Sequence, residues 1–172
     1  MKQGFVKVAS ATPRIRVADP VYNAQVICEQ AKEAAEHGAK IVVFPELCIT
    51  GYTCNDLFLQ ELLLEKAKEA LLTIAEETGQ LETLFLVGLP VDKDGRLYNV
   101  AAVLYRGRIL GMIPKKNIPM YAEFYEGRHF TPGEETVTEY RLGKQVIPFG
   151  SNLLFRCEEL PELILGCELC ED

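Results

Sequence analysis

The 172-residue sequence has no tryptophan and only two histidines, His37 and His129. No His-Glu-x-x-His zinc motif, Gly-x-Ser-x-Gly elbow, Gly-x-Gly-x-x-Gly fingerprint or P-loop occurs in it. A Ser-His-Asp hydrolase and a self-contained nucleotide binder are therefore poor fits. His37 falls at the expected C-terminus of a helix, where a partly charged imidazole is favourable, and both histidines read as non-catalytic. Positive charge is also scarce: 18 Lys and Arg against 25 Asp and Glu leave a net charge of −7. A nucleic-acid partner held by a general phosphate field is excluded on that balance. No apolar run reaches the roughly 18 to 20 residues of a bilayer span, so no membrane partner is expected. At the start, Met1 to Val8, Lys7 stands where an export signal would be apolar. The expectation is a cytoplasmic protein, in which Cys28, Cys48, Cys54, Cys157, Cys167 and Cys170 stay reduced and serve packing or chemistry.

What is present fits one domain. The length is enough for a sizeable core, and 48% apolar with 25% charged residues excludes wholesale disorder. Residues 5–10 read as a strand. Asp19-Pro20 is an N-cap followed by proline at the first helical position. Val21, Ala24, Cys28, Ala31 and Ala35 then recur at helical steps up to Gly38, a C-terminal cap. Lys40–Phe44 reads as a strand buried on both faces. A second helix is expected from about Leu57 to Thr78, with Leu63, Ala67, Ala70, Leu71 and Ile74 as its stripe. Leu84–Leu89 is another buried strand, and Asp92 to Gly95 a turn. Tyr98–Tyr105 and Arg108–Ile113 form an antiparallel hairpin across Arg106-Gly107. Residues 115–144 are aperiodic, and a loop that long is functional or mobile. Gln145–Phe149 with Asn152–Cys157 reads as another strand pair, and Leu163–Cys167 as a last buried strand. The order β-α-β-α-β followed by strands suggests an α/β or α+β layered fold with a mixed sheet; a doubly wound nucleotide fold fits less well.

The chemistry-bearing residues are few. Cys167-Glu168-Leu169-Cys170 lacks the second half-site of a zinc ribbon and a following helix of the thioredoxin kind. In extended chain Cys167 points to the core and Cys170 outward at the strand's end. Lys115-Lys116, with Arg106 and Arg108, is either a phosphate patch or a solvated hairpin end. Glu46 directly follows a buried strand and a proline. It is either a turn residue in water or a reactive group at a strand end.

Three of these features stand at strand ends: Phe44-Pro45-Glu46-Leu47, Pro114-Lys115-Lys116-Asn117-Ile118-Pro119, and Cys170-Glu171-Asp172. The set resembles the nitrilase, or carbon–nitrogen hydrolase, superfamily. Within it the chain is most similar to the glutaminase domains of glutamine-dependent NAD⁺ synthetases. The family pattern Phe-Pro-Glu-Leu-x-x-(Ser/Thr)-Gly-Tyr is matched by residues 44–52, followed by Asp56-Leu57-Phe58. Lys-x-x-Leu-Pro-x-Tyr-x-x-Phe-x-Glu is matched from Lys115 to Glu126, with Ile118 in place of leucine, and Cys-Glu-Asp at 170–172. The resemblance implies an α-β-β-α sandwich. It makes Glu46 the general base, Lys115 the cationic stabiliser and Cys170 the nucleophile, with Tyr52, Tyr121, Phe124 and Glu171 shaping a glutamine pocket. Lys116 is left solvated.

The same resemblance implies hydrolysis of the glutamine amide. The ammonia would pass to an ATP- and magnesium-using ligase domain that amidates nicotinic acid adenine dinucleotide. Residues 1–172 would be a partial glutaminase domain, ending two residues past the nucleophile, with helices on one face of an incomplete sandwich. No cofactor is then expected in this chain, and its activity should be impaired. An uncovered sheet should drive self-association. Two other readings stay open: a stand-alone amidase acting on a small amide, and a non-catalytic assembly remnant.

Overall fold

The computed structural model describes residues 4–172; Met1 to Gln3, part of the segment read for an export signal, lies outside them. Seven strands form one mixed sheet: β1 (Val8–Ser10), β2 (Ile41–Val43), β3 (Leu84–Lys93), β4 (Arg96–Tyr105), β5 (Arg108–Pro114), β6 (Thr138–Leu142) and β7 (Gln145–Phe149). The spatial order is β1-β2-β3-β4-β5-β7-β6. β1, β2 and β3 are parallel, joined by α1 (Pro20–Glu36) and α2 (Glu61–Glu77). From β3 onward hairpins take over, with antiparallel β3–β4 and β4–β5 pairs and a parallel contact from β5 to β7. This is the layered α/β arrangement expected from the element order. Among the described residues no helix is long and apolar enough to cross a membrane.

Both helices lie on one face of the sheet. Ile27 and Ala31 of α1 and Ala67, Leu71 and Ile74 of α2 share one core with Val42, Phe85, Val87, Leu89, Val100, Ala102, Leu104 and Met112. Each of the large side chains in that set contributes about 1.5–3 kcal/mol by leaving water. The Asp19 carboxylate caps α1 by accepting from Tyr22 N at 3.1 Å. Val21 is 58% exposed and stands off the buried face of α1, which runs through Pro20, Asn23, Ala24, Ile27, Cys28 and Ala31. The second helix is also shorter than its pattern predicts. A 3-10 turn covers Asn55–Leu59, and Gln60 is extended (φ −89°, ψ 121°), which breaks the hydrogen-bond ladder and lets α2 begin at Glu61.

The opposite face is covered only in part. Ala101, Val103 and Ile113 pack there against Leu153, Phe155, Cys167 and Leu169. Those residues flank or belong to a two-stranded ribbon of β8 (Phe155–Arg156) and β9 (Ile164–Leu165). Three expectations are corrected here. β7 pairs with β6, a strand hidden in the 115–144 loop, and not with the 152–157 segment. The last strand is a half-exposed ribbon edge rather than a buried strand. Val43 is 45% exposed, so β2 is covered on one face only. The turn of the β3–β4 hairpin is Asp94-Gly95, with Asp92 and Lys93 still in β3.

The turn after β2 is set by a close approach of two backbones. Phe44 N donates to Leu86 O at 2.9 Å and Ile49 N to Gly88 O at 3.1 Å. A Cβ on Gly88 would lie 2.3 Å from Leu47 N and 2.8 Å from Pro45 O. The buried amide of Asn23 holds the same turn from α1, donating to Ile49 O at 2.9 Å. Gly88→Ala must therefore push the Pro45–Leu47 turn away. It should destabilise the fold by about 1–3 kcal/mol, measured by urea unfolding. Gly166→Ala, whose methyl would meet only Leu154 at 3.6 Å, is the control and should leave the midpoint nearly unchanged.

Candidate active site

Glu46 sits in the turn held against Gly88, at the end of β2. Lys115 directly follows β5, where its N–H donates to Asn99 O at 2.7 Å and its carbonyl accepts from Gly133 N at 2.7 Å. Its side chain is fully buried. The ammonium donates to Glu46 Oε1 at 2.8 Å and to both oxygens of Glu126, at 2.8 and 2.9 Å. Burial alone would pull the Lys115 pKa down; the hydrogen bonds and charges of Glu126 and Glu46 outweigh it and hold it above the ordinary lysine value. The phosphate-patch reading of this segment fails. Lys115 is committed to two carboxylates, Lys116 reaches Glu135 at 2.8 Å, and Arg106 pairs with Glu82.

Glu126 and Asn99 complete the cluster, and the sequence reading gave neither a role. Glu126 is 6% exposed and lies on the short 3-10 turn Glu126–Arg128 within the long aperiodic loop. Its Oε1 also accepts from the Tyr52 hydroxyl at 2.6 Å. Burial, then the Glu126 carboxylate, then Glu46 and Cys170, push the Tyr52 phenol well above its usual range. Asn99 is fully buried on β4 and donates from Nδ2 to Glu46 Oε1 at 2.5 Å. Its Oδ1 is shielded from solvent without a partner among the described residues. An unpaired buried acceptor of this kind costs about 1–3 kcal/mol.

The loop that carries Glu126 is anchored rather than free. Phe130 packs with Phe58 (ring centroids 5.0 Å apart), Leu47, Cys54 and Leu63. Arg128 grips Asp56 through two hydrogen bonds, at 2.8 and 3.0 Å. His129 contacts Asp56 Oδ1 at 3.1 Å, and Arg128 and His129 together hold the Asp56 carboxyl below its usual range. That is a bracing role for His129, while His37 sits at the C-cap of α1 with Nδ1 near Glu33 O. Beside Tyr52 and Glu126 a cavity of about 420 Å³, lined also by Phe58, Tyr125, Arg128 and Phe130, is of small-molecule size.

Cys170 is exposed and has φ 55°, in the left-handed region. It lies five residues past β9, so a turn rather than a strand end presents it. Asp172 N closes that turn onto Leu169 O at 3.2 Å. The Asp172 carboxylate then accepts from Lys116 N at 2.9 Å and Asn117 N at 2.6 Å, and Asn117 Nδ2 donates to Glu171 O at 2.7 Å. These bonds fasten the Cys170 turn to the residues immediately after Lys115. The Cys170 thiol makes no hydrogen bond to Glu46 or Lys115; a charge on it is the smallest of the causes that push the Tyr52 phenol up. Tyr121, 55% exposed, donates its hydroxyl to the Glu171 carboxylate and meets Phe124 edge to face at 5.7 Å. Of the seven residues singled out from sequence, Glu46 joins Lys115 directly, and Lys115 and Tyr52 meet at Glu126. Tyr121, Phe124 and Glu171 gather at the Cys170 turn.

All six cysteines are free; Cys28, Cys48 and Cys54 are buried, as packing residues should be. Burial raises the thiol pKa of Cys28 to about 11 and of Cys48 to about 12. Burial also lifts Cys167 to about 11, with Asp172 and Glu168 adding to it.

Comparison with known proteins bears on the family and the fold. The carbon–nitrogen hydrolase family matches residues 7–172. A glutamine-dependent NAD(+) synthetase of Mycobacterium tuberculosis is 39% identical over 171 residues, covering 99% of this chain and 25% of that protein. The crystal structure of a glutamine-dependent NAD(+) synthetase from Cytophaga hutchinsonii superposes with a TM-score of 0.89 at 29% identity, over 97% of this chain and 28% of that one. An amidase from Nesterenkonia sp. shares the fold, with a TM-score of 0.62 at 24% identity over 83% of this chain and 54% of that one. The chain spans about a quarter of the length of the curated synthetases it matches. With a family match over nearly its whole length and a mixed-sheet fold shared with those structures, the chain belongs to the carbon–nitrogen hydrolase family.

Proposed function

We propose that this chain carries the glutamine-hydrolysing site of a glutamine-dependent NAD⁺ synthetase, with Cys170 as nucleophile, Glu46 as general base and Lys115 as the fixed cation. The observation that carries the reading is the buried Lys115 ammonium clasped by Glu46 and Glu126, with the Cys170 turn tied to the next two residues. An amide is a poor electrophile and needs a thiolate to attack it. Glu46 takes the Cys170 proton as sulfur bonds to the amide carbon. The backbone N–H of Glu171, which has no acceptor among the described residues, holds the oxyanion; one such donor contributes about 3 kcal/mol. The C–N bond breaks as Glu46 returns its proton to the leaving ammonia, and a thioester remains on Cys170. Water then gives a proton to Glu46 and adds to the thioester carbon. The C–S bond breaks, and glutamate leaves with the thiol restored.

Tyr52, Tyr121, Phe124 and Glu171 shape the glutamine pocket in this reading. The ammonia serves an ATP- and magnesium-dependent ligase reaction on nicotinic acid adenine dinucleotide elsewhere in the full-length enzyme, in the cytoplasm. The stand-alone amidase reading has only the fold shared with the Nesterenkonia enzyme in its favour, whereas 39% identity favours the synthetase.

One experiment tests this directly; two more follow from the buried charge cluster and the exposed apolar surface. A glutamine-like electrophile should add once, on Cys170, by mass spectrometry, and Cys170→Ala should abolish the adduct. Labels spread over several cysteines would contradict an activated nucleophile.

Lys115→Met removes the cation between two carboxylates. Stability should fall by about 3–5 kcal/mol, the usual cost of orphaning a buried pair. Glu46 and Glu126 then bind protons more tightly folded than unfolded, so the deficit should shrink as pH drops from 7 to 5 in thermal unfolding. A deficit independent of pH would argue against charge repulsion as its cause.

Val8, Leu154 and Ile164 are 63%, 70% and 46% exposed, alongside Val43. The chain should therefore self-associate through apolar surface, seen as a concentration-dependent sedimentation coefficient at micromolar levels. A monomer across that range would oppose it.

A further inference from the structure

The unpaired end of Asn99 needs an explanation, since buried amides in folded proteins are nearly always satisfied at both ends. Its Nδ2 donates to Glu46 Oε1 at 2.5 Å while Oδ1 has no partner among the described residues. Flipping the amide would set a carbonyl oxygen against a carboxylate oxygen, so only the observed orientation makes this contact attractive. The amide therefore gives up one hydrogen bond to keep the other. That other bond falls on the same oxygen that accepts from the Lys115 ammonium at 2.8 Å. Glu46 Oε1 thus carries two donors, and Oε2 accepts no hydrogen bond among the described residues.

We propose that Asn99 is a positioning residue for the hydrolytic reaction: together with Lys115 it saturates Oε1 of Glu46, locks the carboxylate plane, and leaves Oε2 as the atom that takes and returns the proton. This rests on Glu46 being the base. The backbone supports it from the same position, because Asn99 O accepts from Lys115 N at 2.7 Å. One residue of β4 thereby spaces the cation by its main chain and the base by its side chain. The other groups around Glu46 titrate or carry charge: Lys115 at the end of β5, the Glu126 carboxylate on the far side of that ammonium, and the Tyr52 phenol, whose pKa the Glu46 charge helps to raise. Asn99 is the one neutral donor at hydrogen-bond distance from Glu46 among the described residues.

The sign of the effect follows. A donor to a carboxylate stabilises its charged form, so losing it raises the pKa of the base and moves the acid limb of any Glu46-dependent step to higher pH. Replacing the amide with a second carboxylate adds like-charge repulsion and moves it further. The test is the pH dependence of Cys170 alkylation by chloroacetamide, a neutral amide-bearing electrophile, on the intact chain, its Asn99→Leu, Asn99→Asp and Glu46→Gln variants, with thermal unfolding of each. Asn99→Asp should raise the acid limb by about one pH unit or more, a roughly tenfold loss of rate below it. Asn99→Leu should shift it upward by less, and Glu46→Gln should remove it. If Glu46→Gln removes the limb while both Asn99 variants keep it at the wild-type pH, the positioning role is overturned and the base assignment stands. If Glu46→Gln keeps the limb, the base assignment itself falls. Should the Asn99 variants not fold, the native chain still decides by NMR. The Asn99 side-chain amide proton should be shifted downfield and slow to exchange, and should lose both properties in Glu46→Ala, which removes the acceptor. An unchanged signal there would overturn the proposal.

Discussion

A lysine ammonium with no exposure to water is the constraint around which this molecule is arranged. Such a charge is tolerated only if every N–H finds a strong acceptor, because desolvation costs several kcal/mol and an unpaired ion in the interior is far worse than a paired one. Lys115 meets this requirement with Glu46 on one side and both oxygens of Glu126 on the other. Two carboxylates on one cation leave a surplus negative charge. Tyr52 and Asn99 each donate to one of those carboxylates and spread that charge over neutral dipoles. The cluster is then a rigid unit of known polarity before any substrate arrives.

That unit cannot form from local structure. Glu46 and Lys115 are 69 residues apart in the chain, Tyr52 and Glu126 are 74 apart, and the bracing pair Asp56 and Arg128 are 72 apart. Parallel strands bring Glu46 to the sheet edge of the site, and antiparallel hairpins bring Lys115. The change from one pattern to the other, at β3, brings the ends of β2 and β5 to the same end of the sheet, with β3 and β4 between them. The loop with Glu126 is held over them by the packing of Phe58, Phe130 and Leu47. Contacts this distant in sequence are of the kind that slow folding.

How much of this the sequence reveals depends on the range of the interaction. The caps and stripes of α1 and α2, the Arg106-Gly107 turn and the order of the central strands are local, and they are readable from periodicity and turn chemistry. The break at Gln60 is not, since nothing in the composition of 55–64 requires an extended residue there. β6 was hidden for a similar reason: Thr138–Leu142 is buried only at Tyr140 and Leu142, so its polar face resembles a loop. Glu46, Lys115 and Cys170 stood out because a motif marks each. Glu126 closes the 115–126 motif, yet an acidic residue in a polar loop gives no hint that it is buried. Asn99 sits inside a β-rich run and looks like any polar interruption of a strand. What draws both into the cluster is a neighbour brought by the fold.

The two halves of the site are held very differently, and that difference bears on the chemistry. Glu46 and Lys115 are fixed by sheet backbone and buried charge. Cys170 lies in a left-handed turn outside any ladder, held by solvent-exposed hydrogen bonds from Asp172, Asn117 and the Tyr121–Glu171 pair. Exposed bonds of that kind contribute on the order of 1 kcal/mol each, and the adjacent buried Leu169 is the turn's anchor on the sheet. A thiol that attacks, becomes part of a tetrahedral centre, flattens into a thioester and is released must change its bonding geometry at each step. The proton acceptor and the field that polarises the reaction are worth most when they do not reorganise at all. In the proposed reaction the atom whose bonding changes would sit on a tethered turn, and the groups that should not reorganise would be held by the sheet and the buried charge cluster.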